Sequence, residues 1–94
     1  MIPSPVLADG PAGLEKVLNE FLEKSQSDAA FAAKEHYVLY KFNQQKALIK
    51  VDTKQRPFHF WYYDLLGRPA TNNVKEIIAK FLWEKCGAKE TLLT

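Results

Sequence analysis

Lys46-Ala47-Leu48-Ile49-Lys50-Val51-Asp52 is the stretch that decides the fold. Ala47, Ile49 and Val51 fall on one side of an extended chain, and Lys46, Leu48, Lys50 and Asp52 fall on the other. A period of two is the mark of a strand with one buried face. Upstream, His36 to Phe42 is rich in Tyr and β-branched residues, and downstream Phe58 to Tyr63 is a dense aromatic run. Both read as strands. The connections, Asn43-Gln44-Gln45 and Thr53-Lys54-Gln55-Arg56-Pro57, are short. Parallel neighbours need a crossover of about a dozen residues or more, so these three strands form an antiparallel meander.

The period changes on either side of the meander. Leu14, Val17, Leu18, Phe21 and Leu22 follow the spacing of one helical face, with Glu15, Lys16, Asn19, Glu20 and Lys24 around the rest. Asp9 stands where an N-cap belongs and Pro11 near the first helical position. Ser25-Gln26-Ser27-Asp28 reads as a break. Either Asp28 caps a short further turn through Ala29-Ala30-Phe31-Ala32-Ala33, or the first helix runs on. After the turn Leu66-Gly67-Arg68-Pro69, a last helix carries Val74, Ile77, Ile78, Phe81 and Leu82 on one stripe. Asn73 with Glu76 resembles a capping box at its start, and Gly87 supplies its stop.

The expected fold class is therefore α+β. A single helix–three-stranded antiparallel meander–helix domain (αβββα) spans residues 11–87, with both helices on one face of the sheet. Residues 1–10, with Pro3, Pro5 and Gly10 and no period, read as a flexible tail, and 88–94 as a frayed end. The expected core is Val38, Tyr40, Phe42, Ala47, Ile49, Val51, Phe58, Phe60 and Tyr62 against the two helical stripes.

Composition fits this picture. The chain has 94 residues, 47% hydrophobic and 26% charged, which suits one globular domain and excludes disorder along its whole length. Cys86 has no second cysteine to bridge to, which points to a reducing compartment. The N-terminus has no basic start followed by an apolar run, and nothing approaches the ~20 apolar residues of a membrane span. A cytoplasmic protein is the expectation. Net charge is only +2, lower than most proteins that live on phosphate.

The informative result is the opposite face of the sheet. Period-two geometry places Tyr37, Leu39, Lys41, Lys46, Leu48, Lys50, His59, Trp61 and Tyr63 there. An uncovered sheet face should be largely polar, yet this one interleaves aromatics and leucines with lysines. A bare aromatic edge strand also invites pairing, so the face calls for a cover. Three covers compete. The chain's own N-terminal tail or its 28–33 segment could fold across it. A protein partner, including a second copy in a homodimer, could pack on it. Nucleic acid could stack its bases on Trp61 and Tyr63, with Lys41, Lys46 and Lys50 at the phosphates and Lys54, Arg56 and Arg68 beyond them. Low net charge and dispersed carboxylates favour protein over RNA.

Catalytic readings find little footing. His36 and His59 are single strand histidines. Cys86 sits at a helix C-terminus, where the dipole disfavours a thiolate. No Cys/His spacing matches a zinc site, and Asp9-Gly10-Pro11-Ala12-Gly13 lacks a phosphate-binding lysine and reads as a cap. The expectation is a non-enzymatic binding domain with no cofactor, metal, membrane or small-molecule substrate.

The order helix, three antiparallel strands, helix, over about Ala12 to Gly87, resembles that of the double-stranded RNA-binding domain. It also resembles the small Alu-binding subunits of the signal recognition particle. That domain family opens its second helix with a run of lysines, where this chain reads Asn72-Asn73-Val74-Lys75-Glu76. Its Gly-Pro-containing loop between the first two strands is replaced here by Asn43-Gln44-Gln45. The resemblance implies an order of elements and does not carry the family's RNA contacts with it.

Overall fold

Val6–Asp9 forms a strand, β1, where the sequence reading expects a flexible tail. The computed structural model describes residues 5–54 and 58–87. After β1 come α1 (Gly10–Ser27), α2 (Ala29–Ala32), β2 (Glu35–Phe42), β3 (Gln45–Asp52), β4 (His59–Asp64) and α3 (Asn72–Cys86). The strands make one four-stranded sheet in the order β1-β2-β3-β4. β2, β3 and β4 are the expected antiparallel meander. β1 corrects the three-stranded expectation. It runs parallel to β2, from Val6 opposite Val38 to Asp9 opposite Lys41. The α1–α2 segment is the crossover that such a parallel pair requires. Four residues are too few to show a period, so β1 is held by its pairing with β2 rather than announced by its own pattern. The expected frayed end, 88–94, lies outside the described residues.

The chain passes from β1 into α1 with no loop. Gly10 makes that turn at φ 71°, and a Cβ there would stand 3.3 Å from the Phe42 ring. Glycine suits both demands, since it reaches positive φ without strain and leaves room for the ring. Asp9 occupies the N-cap position of α1, but its side chain makes no capping hydrogen bond.

Between α1 and α2 the break is real. The Asp28 carboxylate accepts from the N–H groups of Ala30 (3.0 Å) and Phe31 (3.2 Å), which caps α2 as a separate turn. The β2–β3 hairpin pairs Phe42 with Gln45, leaving a two-residue loop with Asn43 at φ 56°. Asparagine tolerates that left-handed conformation better than most residues. α3 begins at Asn72 with Thr71 as its N-cap, ahead of the expected Asn73–Glu76 box. Its first turn is closed by the Lys75 N–H donating to the Thr71 carbonyl at 3.0 Å. Gly87 ends it in the left-handed conformation, as the sequence implies.

Both long helices lie on one side of the sheet. Leu14, Val17, Leu18 and Phe21 of α1, with Val74, Ile78, Phe81 and Leu82 of α3, share a single core cluster with the sheet. The strands contribute Ala8, Val38, Tyr40, Ile49, Val51 and Phe60, joined by Phe58. Phe42 and Tyr62 pack against its margin. Two layers around one core give a single compact α+β domain. Among the described residues, no helix is long and apolar enough to cross a membrane.

Candidate functional site

The pairing register turns the outer face into rows. Leu7, Leu39, Leu48 and Tyr63 stand opposite one another across β1, β2, β3 and β4. They form an apolar row that spans the sheet at right angles to its strands. Leu7 is 62% and Tyr63 50% exposed, while Leu39 and Leu48 are half-buried. To one side runs the row Tyr37–Lys50–Trp61, and beyond it Glu35–Asp52–His59. To the other side Lys41 faces Lys46, with Asp9 opposite Lys41 on β1.

All the expected face residues lie on this side of the sheet: Tyr37, Leu39, Lys41, Lys46, Leu48, Lys50, His59, Trp61 and Tyr63. Among the described residues, neither internal cover considered from the sequence lies across them. The N-terminal segment pairs at the sheet edge as β1, and α2 packs at the other face, where Phe31 stacks on His36 (3.9 Å between centroids) beside Phe21. Leu7 belongs to the surface and was hidden from sequence reasoning, because the segment carrying it shows no strand period. Trp83, 62% exposed, projects from α3 on the helical side and does not join this face.

Trp61 is already engaged. Its ring stacks on that of His59 at 4.3 Å and 15°, and the Lys50 ammonium stands 4.3 Å from its centroid. Lys50 also pairs with Glu35 at 3.4 Å, and Lys54 approaches the same carboxylate at 3.8 Å. Exposed pairs of this kind contribute about 0–1 kcal/mol each, so their main effect is to fix the side chains in place. Among the described residues Lys41 and Lys46 have no ion-pair partner. Arg56, a candidate phosphate contact, lies outside the described residues. Arg68 is turned to Asp64.

A polar group at the inner margin was also missed by the sequence reading. Gln45 donates to the Tyr62 hydroxyl at 2.6 Å. Burial raises the pKa of Tyr62, with the Asp64 charge adding to the effect, while Arg68 and the Gln45 bond oppose it. Burial likewise raises that of Tyr40, with Tyr62 contributing. Both phenols therefore stay protonated at neutral pH and cannot serve as bases. The Asp64 side chain has no exposed surface. The Leu66 N–H donates to it at 2.7 Å and holds its carboxyl below the usual carboxylate range, against the opposing pull of burial. Arg68, with Nε at 3.3 Å, acts in the same direction as Leu66.

This arrangement has a pH signature. A folded pKa below the unfolded one contributes stability that is present above about pH 4 and is lost as pH falls through the folded value. Asp64→Asn should lower stability at neutral pH and make the loss between about pH 5 and about pH 2 shallower than in the parent protein. Urea midpoints across that range check it. Parallel curves for the two proteins would mean that the Asp64 turn is not linked to folding.

The histidines are both held in aromatic contacts. His36 Nε2 lies 2.8 Å from the Phe31 carbonyl as its ring stacks, and His59 lies against Trp61. Among the described residues, no three His, Cys, Asp or Glu side chains gather where they could hold a metal ion. Comparison with family models, with curated proteins and with solved structures finds no match to this chain.

Proposed function

We propose that this chain is a non-enzymatic binding domain that engages a protein partner through the outer face of its sheet. The observation that supports this reading is the row Leu7–Leu39–Leu48–Tyr63, apolar across all four strands, on the side of the sheet opposite both long helices. Surface leucines scattered singly need no explanation, whereas contiguous apolar patches are uncommon on monomers and the larger ones mark interaction sites. The lysines around the row form a polar rim, and the half-buried Tyr37 and Trp61 supply the residue types that dominate interface energies.

Nucleic acid has less support as the partner. The expected stacking platform, Trp61, already carries His59 and Lys50, and two of the expected phosphate contacts, Lys50 and Lys54, already face Glu35. Among the described lysines of the face, only Lys41 and Lys46 have no ion-pair partner, too few for strong counterion release.

A photo-crosslinking residue at position 48 tests the reading in extract of the source cells, with the same residue at Glu23 on exposed α1 surface as control. Protein adducts from position 48 and none from position 23 are the expected result. Nuclease-sensitive adducts from position 48 would overturn it in favour of RNA. So would equal labelling from the two positions, which would mean that the face has no specific partner.

A further inference from the structure

The far edge of β4 is open, and we infer that it pairs with β4 of a second copy of this chain, giving a dimer with one continuous eight-stranded sheet. This surface is separate from the outer face and goes beyond the function proposed for it. Among the described residues, no strand pairs with that side of β4. Edge strands are kept from pairing by brevity, proline, lysine or a bulge. β1, the other edge, is four residues long and follows Pro5. β4 has six residues, His59-Phe60-Trp61-Tyr62-Tyr63-Asp64, with no lysine or proline, and its register on β3 is unbroken. Its one acidic side chain, Asp64, is turned into the Leu66–Arg68 turn.

The open backbone groups set the register. Phe42 and Gln45 close a two-residue hairpin loop and so form a hydrogen-bonded pair. Stepping along the ladder by twos, Leu48–Tyr63, Lys50–Trp61 and Asp52–His59 are the hydrogen-bonded pairs of β3 and β4. The N–H and C=O groups of Phe60, Tyr62 and Asp64 therefore point outward. The Asp64 carbonyl already accepts from the Gly67 N–H at 3.1 Å, so Phe60 and Tyr62 offer the open groups. Antiparallel pairing of Phe60 with Tyr62 of the second copy joins them twice over, as an isologous contact demands. The two-fold axis then passes between the Trp61 residues and sets His59 opposite Tyr63, so every outer-face pair is aromatic.

The helical layer shows why the strand that fits is this chain's own rather than a lone extended peptide. α1 lies over β1 and β2, while α3 meets Phe58 and Phe60 through Phe81. Ile77, Lys80 and Glu84 of α3 line a cleft with Glu15 and Asn19 of α1. Four-residue spacing puts Lys75, Ala79 and Trp83 in one row on the opposite flank, above the open edge. Lys75 and Trp83 are exposed and Ala79 is half-buried. A two-fold axis through the sheet lays α3 of the second copy antiparallel beside this row. With two helices over four strands about 4.8 Å apart, the two α3 axes stand roughly 10 Å from each other, a usual packing distance. The row matches itself there. Ala79 meets Ala79, which permits close approach, and Lys75 of each copy meets Trp83 of the other as a cation–π pair. Ala79 is two residues, about 3 Å along the helix, from Phe81, whose ring meets Phe60 beside the axis, so the strand and helix registers agree. A peptide alone would pair with the backbone and leave this row bare.

Oxidative crosslinking tests the register. Directly opposed residues of a non-hydrogen-bonded pair have Cα atoms about 4.5 Å apart, within disulfide reach. In a Cys86→Ser background, Trp61→Cys should form a disulfide-linked dimer under mild oxidation, and Leu48→Cys, at the centre of the outer face, should not. Sedimentation equilibrium should show a monomer–dimer equilibrium for the parent protein. Ala79→Arg should dimerise at least about tenfold more weakly, because it sets two like charges at the axis. Unchanged amide spectra in dilute solution would show that the variants remain folded. A parent protein that stays monomeric at all concentrations overturns the inference. So does linkage at position 48 without linkage at position 61, which would mean packing face to face. A dimer indifferent to Ala79→Arg overturns it too, since the helices would then lie outside the interface. Photo-adducts from position 48 bear on the outer face alone, because an edge dimer leaves Leu48 open. A monomer with specific protein adducts at position 48 removes this inference and keeps that reading, and an edge dimer without such adducts does the reverse.

Discussion

Phe60→Ala is expected to cost the fold about 3–5 kcal/mol, and Trp61→Ala, one residue along the same strand, about 1 kcal/mol or less. Phe60 has no exposed surface and meets Phe81 of α3 edge-on, with ring centroids 6.4 Å apart at 85°. Truncating it removes an aromatic from the centre of the sheet–helix interface and leaves a cavity that the rigid strand cannot close. A domain of this size has about 5–15 kcal/mol of stability in total, so the variant is left near its unfolding threshold. Trp61 points the other way. It loses its stack on His59 and the Lys50 cation, both at a half-exposed surface. Urea unfolding of the two variants is the check. Comparable losses at the two positions would mean that the outer face is covered as thoroughly as the core.

That contrast was legible in the sequence, because a period of two is a local property. Once Ala47, Ile49 and Val51 are assigned inward, the faces of β2 and β4 follow from hairpin pairing, and the structure buries the expected side of each strand. The helical stripes were legible for the same reason. What the sequence did not disclose depends on contacts between segments far apart in the chain. The Lys50–Trp61–His59 stack exists because register sets Lys50 opposite Trp61, and Glu35 secures the lysine from a third strand. Composition presents Lys50 as a free phosphate contact. Only the pairing shows it engaged. The Gln45–Tyr62 bond likewise joins residues that stand close only after the β3–β4 pair has formed.

Removing residues 1–9 should destabilise the domain by roughly 2–4 kcal/mol, and it separates a strand from a tail. A tail contributes almost nothing to stability, within about 0.5 kcal/mol. β1 contributes a ladder over four residue pairs with β2, at about 1 kcal/mol net per hydrogen bond. It also contributes Ala8, which is 2% exposed beside Tyr40 and lies under α1, where a Cβ on Gly13 would stand 3.4 Å from the Ala8 backbone. Without β1, the hydrogen-bonding edge of β2 is laid bare in its place, and such an edge promotes association. The truncated protein should therefore both unfold earlier and aggregate as its concentration rises. A point substitution gives the same test with the chain intact. Ala8→Asp would bury a carboxylate among Tyr40 and the α1 side chains at a cost of at least about 3 kcal/mol, whereas Leu7→Asp on the outward side of the same strand should leave folding nearly unchanged. Equal, small effects at positions 7 and 8 would return the segment to a tail. A large effect at 8 alone would establish β1 as the fourth strand, and with it the four-strand width of the apolar row that Leu7 completes.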